Sequence, residues 1–147
     1  MASTEVPPLA SSNRRILSIW ADGLFALGFG IVGGEIFGRT VSYWAAAGGA
    51  LLLASWCNHV ILAVLAGGSI GKQISGLRLI RTSDLGKPAL GQAIRRWLWG
   101  FFYIVISPVL ILSGSDVDHL DIAGLRTIRR ADLRRWRSDR FRKRASS

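Results

Sequence analysis

Two long apolar segments lie in the first half of the chain, with a very short polar link between them. Residues 16–38 form a run of 23 interrupted only by Asp22 and Glu35, and residues 41–66 form a run of 26 without a formal charge. A helix needs about 20 apolar residues to cross the hydrocarbon core of a bilayer. The pattern therefore predicts two transmembrane helices. Because only two residues separate the segments, we expect an antiparallel hairpin.

A third apolar segment, residues 97–113, has only 17 residues and contains Pro108. It begins with Trp97 and Trp99, aromatic residues that favour the membrane–water interface. Two interpretations stay open: the segment spans the bilayer, or it is re-entrant and returns near Pro108. Irregular backbone at membrane depth requires cover by protein. A single crossing would place the basic C-terminal tail outside, whereas a re-entrant segment keeps it on the inner side.

A basic loop, residues 67–96, connects the second and third apolar segments and carries six Lys and Arg against one Asp. Within it, residues 77–81 (LRLIR) followed by residues 83–86 (SDLG) predict a short strand that runs into a turn. In the basic C-terminal segment, four apolar residues fall within one arc at about 100° per residue. They are Leu125, Ile128, Leu133 and Trp136. This arc predicts an amphipathic helix on the membrane surface.

Together these patterns predict an all-α membrane protein. Its parts are two transmembrane helices in a hairpin, a third short apolar segment, a basic cytoplasmic loop and an amphipathic C-terminal helix. For the domain organisation, we expect a disordered, Pro- and Ser-rich tail over residues 1–13, a membrane domain over residues 14–128 and a basic tail over residues 129–147.

The charge distribution predicts the orientation of the hairpin and its surroundings. The formal net charge is +10, although the mean hydropathy is +0.32. Cytoplasmic loops of membrane proteins carry the excess of Lys and Arg, which places the N-terminus and the basic loop in the cytoplasm. Anionic lipid headgroups are then the nearest polyanion, so we expect membrane lipids as partners and no nucleic acid. The expected headgroup contacts are Lys72, Arg78, Arg81, Arg95 and Arg96.

Small and polar residues recur every four positions along the first apolar segment, which places them on one ridge of a helix. They are Ser18, Asp22, Ala26, Gly30 and Gly34. Small residues at this spacing let another helix approach closely. We therefore predict that the ridge is a packing face with a carboxyl group embedded in it.

The intramembrane carboxyl group of Asp22 needs a partner, because a carboxylate inside a bilayer faces protein or water. Asn58 and His59 lie eight and seven residues before Ala66, and the hairpin places them at the depth of Asp22. We predict that Asp22 pairs with Asn58 or His59. Two roles stay open for the pair: movement of a proton or cation, or fixing of the register of the two helices.

The polar stretch after the second segment resembles a known family. Residues 68–80 (GSIGKQISGLRLI), together with Arg15-x6-Asp22, are similar to the RDD family of small bacterial integral membrane proteins. The family's closing motif, a His-Asp pair before Ala-Gly-Thr, is half present: His119 fits, whereas Asp121 comes one residue late. The residues that carry the resemblance are Arg15, Asp22, Gly71, Lys72, Gly76, Arg78, Arg96, His119 and Asp121.

The resemblance implies a multi-pass protein of the bacterial inner membrane, in a family suspected of transport, with cation/proton exchange suggested for some members. Two or three spans cannot enclose a pathway alone, so transport through Asp22 would require a homo-oligomer, with the small-residue ridge as one contact. We favour an accessory or scaffold component of a larger membrane complex. The titratable groups are scattered, so we expect no catalytic residue, no enzyme activity, no metal and no cofactor.

Overall fold

The computed structural model describes residues 7–112 and 122–145, and these residues are mostly helical. Helix α1 covers Ser12–Phe37. The second long helix, Tyr43–Ala66, consists of α2 (Tyr43–Trp56), a π-helical turn (Cys57–Ile61) and α3 (Leu62–Ala66). Both long helices are apolar and long enough to cross a membrane. They confirm the two helices that the sequence predicted.

The two long helices form the predicted hairpin, and glycines of α1 let the backbones approach closely. A Cβ atom added at Gly30 would lie 3.1 Å from the Cβ of Leu51. A Cβ atom added at Gly33 would overlap the Cβ of Ala50. Close approach of this kind is typical of helix pairs in membranes, where association depends on packing more than on burial from water.

The predicted ridge of small residues is a packing face, but its partners lie within the chain. Four of the five ridge residues are buried, and only Ala26 is partly exposed. The glycine end of the ridge faces α2. The end with Ser18 and Asp22 faces the short helix α4, Ile70–Ile74. The chain's own helices therefore cover most of this ridge, and its contact with a second copy of the chain stays a prediction.

Strand β1, Leu77–Arg81, confirms the predicted short strand and pairs antiparallel with β2, Leu125–Arg129. β1 is fixed to the end of the second long helix, since the Leu79 N–H donates to the Gly67 carbonyl at 2.7 Å. Gly67 has a φ of +76°, the left-handed conformation that commonly ends a helix and favours glycine.

β2 corrects the predicted fold class, because the chain is not all-α. Leu125 and Ile128 lie in β2 instead of on an amphipathic helix, and α6, Arg130–Ala145, begins only after the strand. The physical reason is that the edge of β1 supplies hydrogen-bonding partners for the backbone of β2. In addition, the side chains of Leu125 and Ile128 are each buried in an apolar cluster. Burial against neighbouring residues of this kind overrides local periodicity.

The two strands belong to an internal repeat that helical periodicity does not reveal. Residues 74–87 (ISGLRLIRTSDLGK) and residues 122–135 (IAGLRTIRRADLRR) are identical at 8 of 14 positions. In the sheet, Leu79 pairs with Thr127, its own equivalent in the other copy, so the pairing has a pseudo-two-fold axis at this point. Ile80 and Leu85 of one copy pack with Ile128 and Leu133 of the other.

Helix α5, Leu90–Leu112, covers the third apolar segment. It begins seven residues before the predicted start and runs past position 108, so the backbone does not turn back there. The indole N–H of Trp97 donates to Ser55 Oγ at 3.2 Å, which holds α5 against α2. The position of α5 relative to the bilayer stays a prediction.

Residues 7–11 precede α1 and lie beside β2. The Ala10 N–H donates to the Thr127 carbonyl at 3.1 Å, and Ala10 is 2% exposed. The described part of the segment that was predicted as a tail is therefore packed against the sheet, and α1 begins four residues earlier than the apolar run indicated.

The helix hairpin is expected to depend on glycine at position 33 and to tolerate alanine at position 28. Gly33→Ala should lower the free energy of unfolding by about 1–3 kcal/mol, as overpacking does. Gly28 has no atom within 4 Å of an added Cβ, so Gly28→Ala should leave stability unchanged or raise it through helix propensity. Thermal unfolding of the two variants in the same detergent checks this, and equal melting temperatures would contradict the packing described above.

Candidate functional site

Asp22 lies at the centre of a buried polar cluster, which we call the Asp22 cluster: Asp22, Asn58, Ser69, Gly71 and Lys72. Asp22 Oδ1 accepts hydrogen bonds from Asn58 Nδ2 at 2.7 Å and from the Gly71 N–H at 2.8 Å. Asp22 Oδ2 accepts a hydrogen bond from Ser69 Oγ at 2.6 Å. Asp22 is 3% exposed. Both oxygens of the carboxyl group are therefore occupied by donors from its own chain.

Asn58 joins the second long helix to α4 through its amide group. Its Nδ2 donates to Asp22, and its Oδ1 accepts from the Ile70 N–H at 2.8 Å. The first N–H groups of a helix have no partner within that helix. Asn58 and Asp22 satisfy those of Ile70 and Gly71, the first two residues of α4. Asn58 lies in the π-helical turn, a local widening that often occurs at functional sites.

Helix α4 is held against the N-terminal half of α1 at both of its ends. Asp22 contacts its N-terminal end, and Arg14 Nη1 donates to the Ser75 carbonyl at its C-terminal end, at 3.2 Å. The two helices approach closely at Gly71, where an added Cβ would overlap the Ser18 carbonyl oxygen and lie 2.8 Å from Asp22 Cγ. Glycine at position 71 is therefore a steric requirement of the cluster.

Lys72 supplies the positive charge of the cluster. Its Nζ donates to Ser69 Oγ at 3.2 Å and lies 3.9 Å from Asp22 Oδ2, and the side chain is 13% exposed. Burial, followed by the positive charge of Arg96, lowers the pKa of Lys72, while Asp22 acts in the opposite direction. Ser69 lies between the two charged groups, accepting from the ammonium and donating to the carboxylate.

The structure selects one of the two partners predicted for Asp22. The partner is Asn58, whereas His59 is half-buried beside it and makes no hydrogen bond with Asp22. This agrees with the predicted depth of the three residues. The hydrogen bond from Asn58 to Asp22 joins the second long helix to α1 and therefore supports the interpretation that the pair fixes the helix register.

The other predicted residues lie in several places. Of those that carry the family resemblance, Asp22, Gly71 and Lys72 meet in the cluster. Gly76 has a φ of +68° in the turn before β1, Arg15 is half-buried on α1, and Arg96 lies on α5. His119 and Asp121 lie outside the described residues.

The predicted headgroup contacts divide into two groups. Lys72 is directed at Ser69 and Asp22 in the interior. Arg81 pairs with Asp84 at 2.8 Å, and Arg95 is exposed on α5. Contact of Arg78, Arg81, Arg95 and Arg96 with lipid stays a prediction.

Sequence reasoning missed two residues of the site, Ser69 and Arg14. Serine directly before a short helical turn is typical of a helix N-cap, so Ser69 carried a usable signal. Arg14 and Arg15 are adjacent basic residues, and nothing in the pattern indicates which of them contacts the carbonyl end of α4.

The arrangement of the Asp22 cluster suits a structural role, holding three helices together, better than the binding of a ligand. The hydrogen bonds to the Asp22 carboxyl group come from donors of its own chain, two on Oδ1 and one on Oδ2, and Lys72 Nζ lies 3.9 Å from Oδ2. Within residues 7–112 and 122–145, no group of three His, Cys, Asp or Glu side chains is arranged to hold a metal ion.

One family model matches the chain. Residues 9–116 match the RDD family, a range that includes both long helices, β1 and the whole Asp22 cluster. No individual curated protein matches the chain.

Removing the charge of Asp22 should destabilise the fold far more than the same change at an exposed carboxylate. In Asp22→Asn, the new amide N–H would face donors, so we expect a loss of about 3 kcal/mol, the upper range for a buried charged hydrogen bond. Asp84→Asn is the matched control, because its ion pair with Arg81 is half exposed and such pairs contribute at most about 1 kcal/mol. Thermal unfolding in detergent measures both, and similar losses would contradict a structural role for the cluster.

Proposed function

This chain belongs to the RDD family of small membrane proteins, and we propose that it serves as a non-catalytic accessory or scaffold subunit of a larger membrane complex. The observation that carries this proposal is the burial of Asp22 among hydrogen-bond donors of its own chain. The residue that would have to bind a transported ion has both oxygens occupied by Asn58, Ser69 and Gly71. Exchange of an ion at this position would require the breaking of bonds that hold α1, the second long helix and α4 together.

The outer surface of the hairpin supports membrane embedding and leaves area for partners. Large apolar side chains on α1 are more than half exposed, among them Ile19, Trp20 and Leu24. In a bilayer, side chains of this kind face lipid tails or the helices of another protein. A subunit with two long helices and a filled interior can therefore offer its outer faces to a neighbour.

We also propose an orientation in the bacterial inner membrane, with the N-terminus, the basic loop and the C-terminal tail in the cytoplasm. The pairing of β1 with β2 supports it, because residues 125–129 then share a side of the membrane with residues 77–81. A single crossing by α5 would separate the two strands. A return through hydrocarbon outside a helix is strongly disfavoured, and α5 is one continuous helix over Leu90–Leu112, so the proposal makes α5 interfacial.

Transport by an oligomer is the alternative, and one observation favours it. Lys72 and Asp22 form a buried pair at 3.9 Å beside a π-helical turn, and the pKa of Lys72 is lowered by burial and by Arg96. A lysine of this kind releases its proton more readily than an exposed one. Exchange of a proton for a cation at Asp22 would use the lowered pKa of Lys72 and its position beside the buried carboxyl group.

The proposed orientation predicts the same cytoplasmic location for both basic segments. A fluorescent protein fused after Ser147 should fluoresce, and alkaline phosphatase fused there should be inactive, because the latter folds only outside the cytoplasm. Phosphatase inserted in the link at residues 38–42 should be active and serves as the control. An active phosphatase at the C-terminus would show a full third crossing and contradict the proposal.

The accessory role predicts a complex and no intrinsic flux. Extracted in mild detergent, the native chain should have a mass that no whole multiple of 16.0 kDa explains. Asp22→Asn should reduce the yield of that complex together with the melting temperature, while Asp84→Asn retains both.

Proteoliposomes that contain the purified chain should carry Na⁺, K⁺ and H⁺ no faster than empty vesicles. Flux in the wild type that is lost in Asp22→Asn, with an unchanged melting temperature, would overturn the accessory role and establish the transport alternative. This comparison separates a structural from a transporting carboxylate, because destabilisation and loss of flux are measured on the same sample.

A further inference from the structure

A cavity of about 320 Å³ lies between the end of the second long helix, β1 and α6, and its lining is strongly basic. Five cationic side chains line it, and no acidic residue is among the lining residues. They are Arg78, Lys87, Arg130, Arg134 and Arg137. We call this cavity the basic pocket. Its volume lies at the lower end of the range for sites that bind small molecules or ligand groups.

The cations of the basic pocket come from separate elements that the fold brings together. Arg78 lies on β1, and Lys87 follows the turn after that strand. Three arginines lie on one side of α6, at positions separated by four and three residues. The Arg130 N–H donates to the Gly76 carbonyl at 3.0 Å, which fixes the first turn of α6 beside β1. The pocket is therefore held by backbone contacts.

The charges of the basic pocket are not balanced by ion pairs in the described part of the chain. The ion pairs described there join Lys72 with Asp22 and Arg81 with Asp84, and neither includes a pocket cation. Like charges held close together repel one another and create a positive potential that attracts an anion. Guanidinium groups match phosphate oxygens in geometry as well as in charge.

The depth of the basic pocket relates it to lipid headgroups. Ala66, the last residue of the second long helix, lines it, and Lys87 Nζ donates to the Leu65 carbonyl at 2.5 Å. The pocket thus begins where that helix ends. The end of a membrane-crossing helix of this length lies at the level of the headgroup phosphates.

We propose that the basic pocket binds a phosphate-bearing anion, held by Arg78 from the sheet and by Arg134 and Arg137 from α6. The phosphate comes either from an anionic phospholipid headgroup or from a soluble phosphate compound. The site is separate from the Asp22 cluster and does not depend on the accessory role. Binding would fasten α6 to the end of the second long helix and so couple the C-terminal tail to the membrane surface.

The test uses the full chain in detergent and two pairs of substitutions with equal loss of charge. Arg134→Gln with Arg137→Gln removes two pocket cations, whereas Arg135→Gln with Arg142→Gln removes two exposed cations of α6 outside the pocket. The probes are phosphatidylglycerol, phosphatidylcholine and glycerol 1-phosphate. Thermal unfolding followed by tryptophan fluorescence gives an apparent affinity for each probe.

We expect phosphatidylglycerol to raise the melting temperature by several degrees and phosphatidylcholine to have little effect. The pocket variant should bind at least five-fold more weakly, while the control variant binds as the wild type does. Protection by glycerol 1-phosphate at the same concentration, lost in the pocket variant, would support the proposal and assign the site to soluble phosphate. Equal loss in the two variants, or absence of protection by every probe, would overturn it.

Discussion

The hydrogen bonds to the Asp22 carboxylate are the constraint on which the rest of the structure depends. A charged group within a helix of membrane-crossing length is costly unless donors surround it. This chain supplies the donors by folding the segment after the second long helix back onto α1, so that Ser69 and Gly71 reach the carboxylate beside Asn58. These bonds determine the position of α4, and β1 begins three residues after α4 ends, so its position depends on them as well.

The close contacts around α1 are a second consequence of the same arrangement. The ridge of small residues is filled by α2 at its glycine end and by α4 at its polar end. Two different partners within the chain therefore share one helix face. This distinguishes the hairpin from helices that dimerise through the same kind of ridge.

Beyond the end of the second long helix, the antiparallel pairing of two similar segments, β1 and β2, forms the sheet. The repeat at residues 74–87 and 122–135 places equivalent apolar residues on both sides of a pseudo-two-fold axis, so that the sheet and the core beneath it are built from the same pattern twice. The molecule thus combines a closed polar cluster at the end of the hairpin opposite its link with an open basic pocket beside the sheet. The closed cluster suits a structural role, and the open pocket suits binding.

Length and polarity in the sequence determined the two long helices, their hairpin and the prediction that Asp22 pairs with Asn58 or His59, because these depend on local periodicity and on the thickness of a bilayer. The strand at residues 77–81 was also local enough to predict. The choice of Asn58 over His59, the contact of Arg14 with α4 and the inward direction of Lys72 depend on residues far apart in the chain. Only the tertiary structure decided them. β2 shows the same limit most clearly, since residues 125–129 fit a helical arc as well as a strand, and it is the edge offered by β1 that makes them a strand.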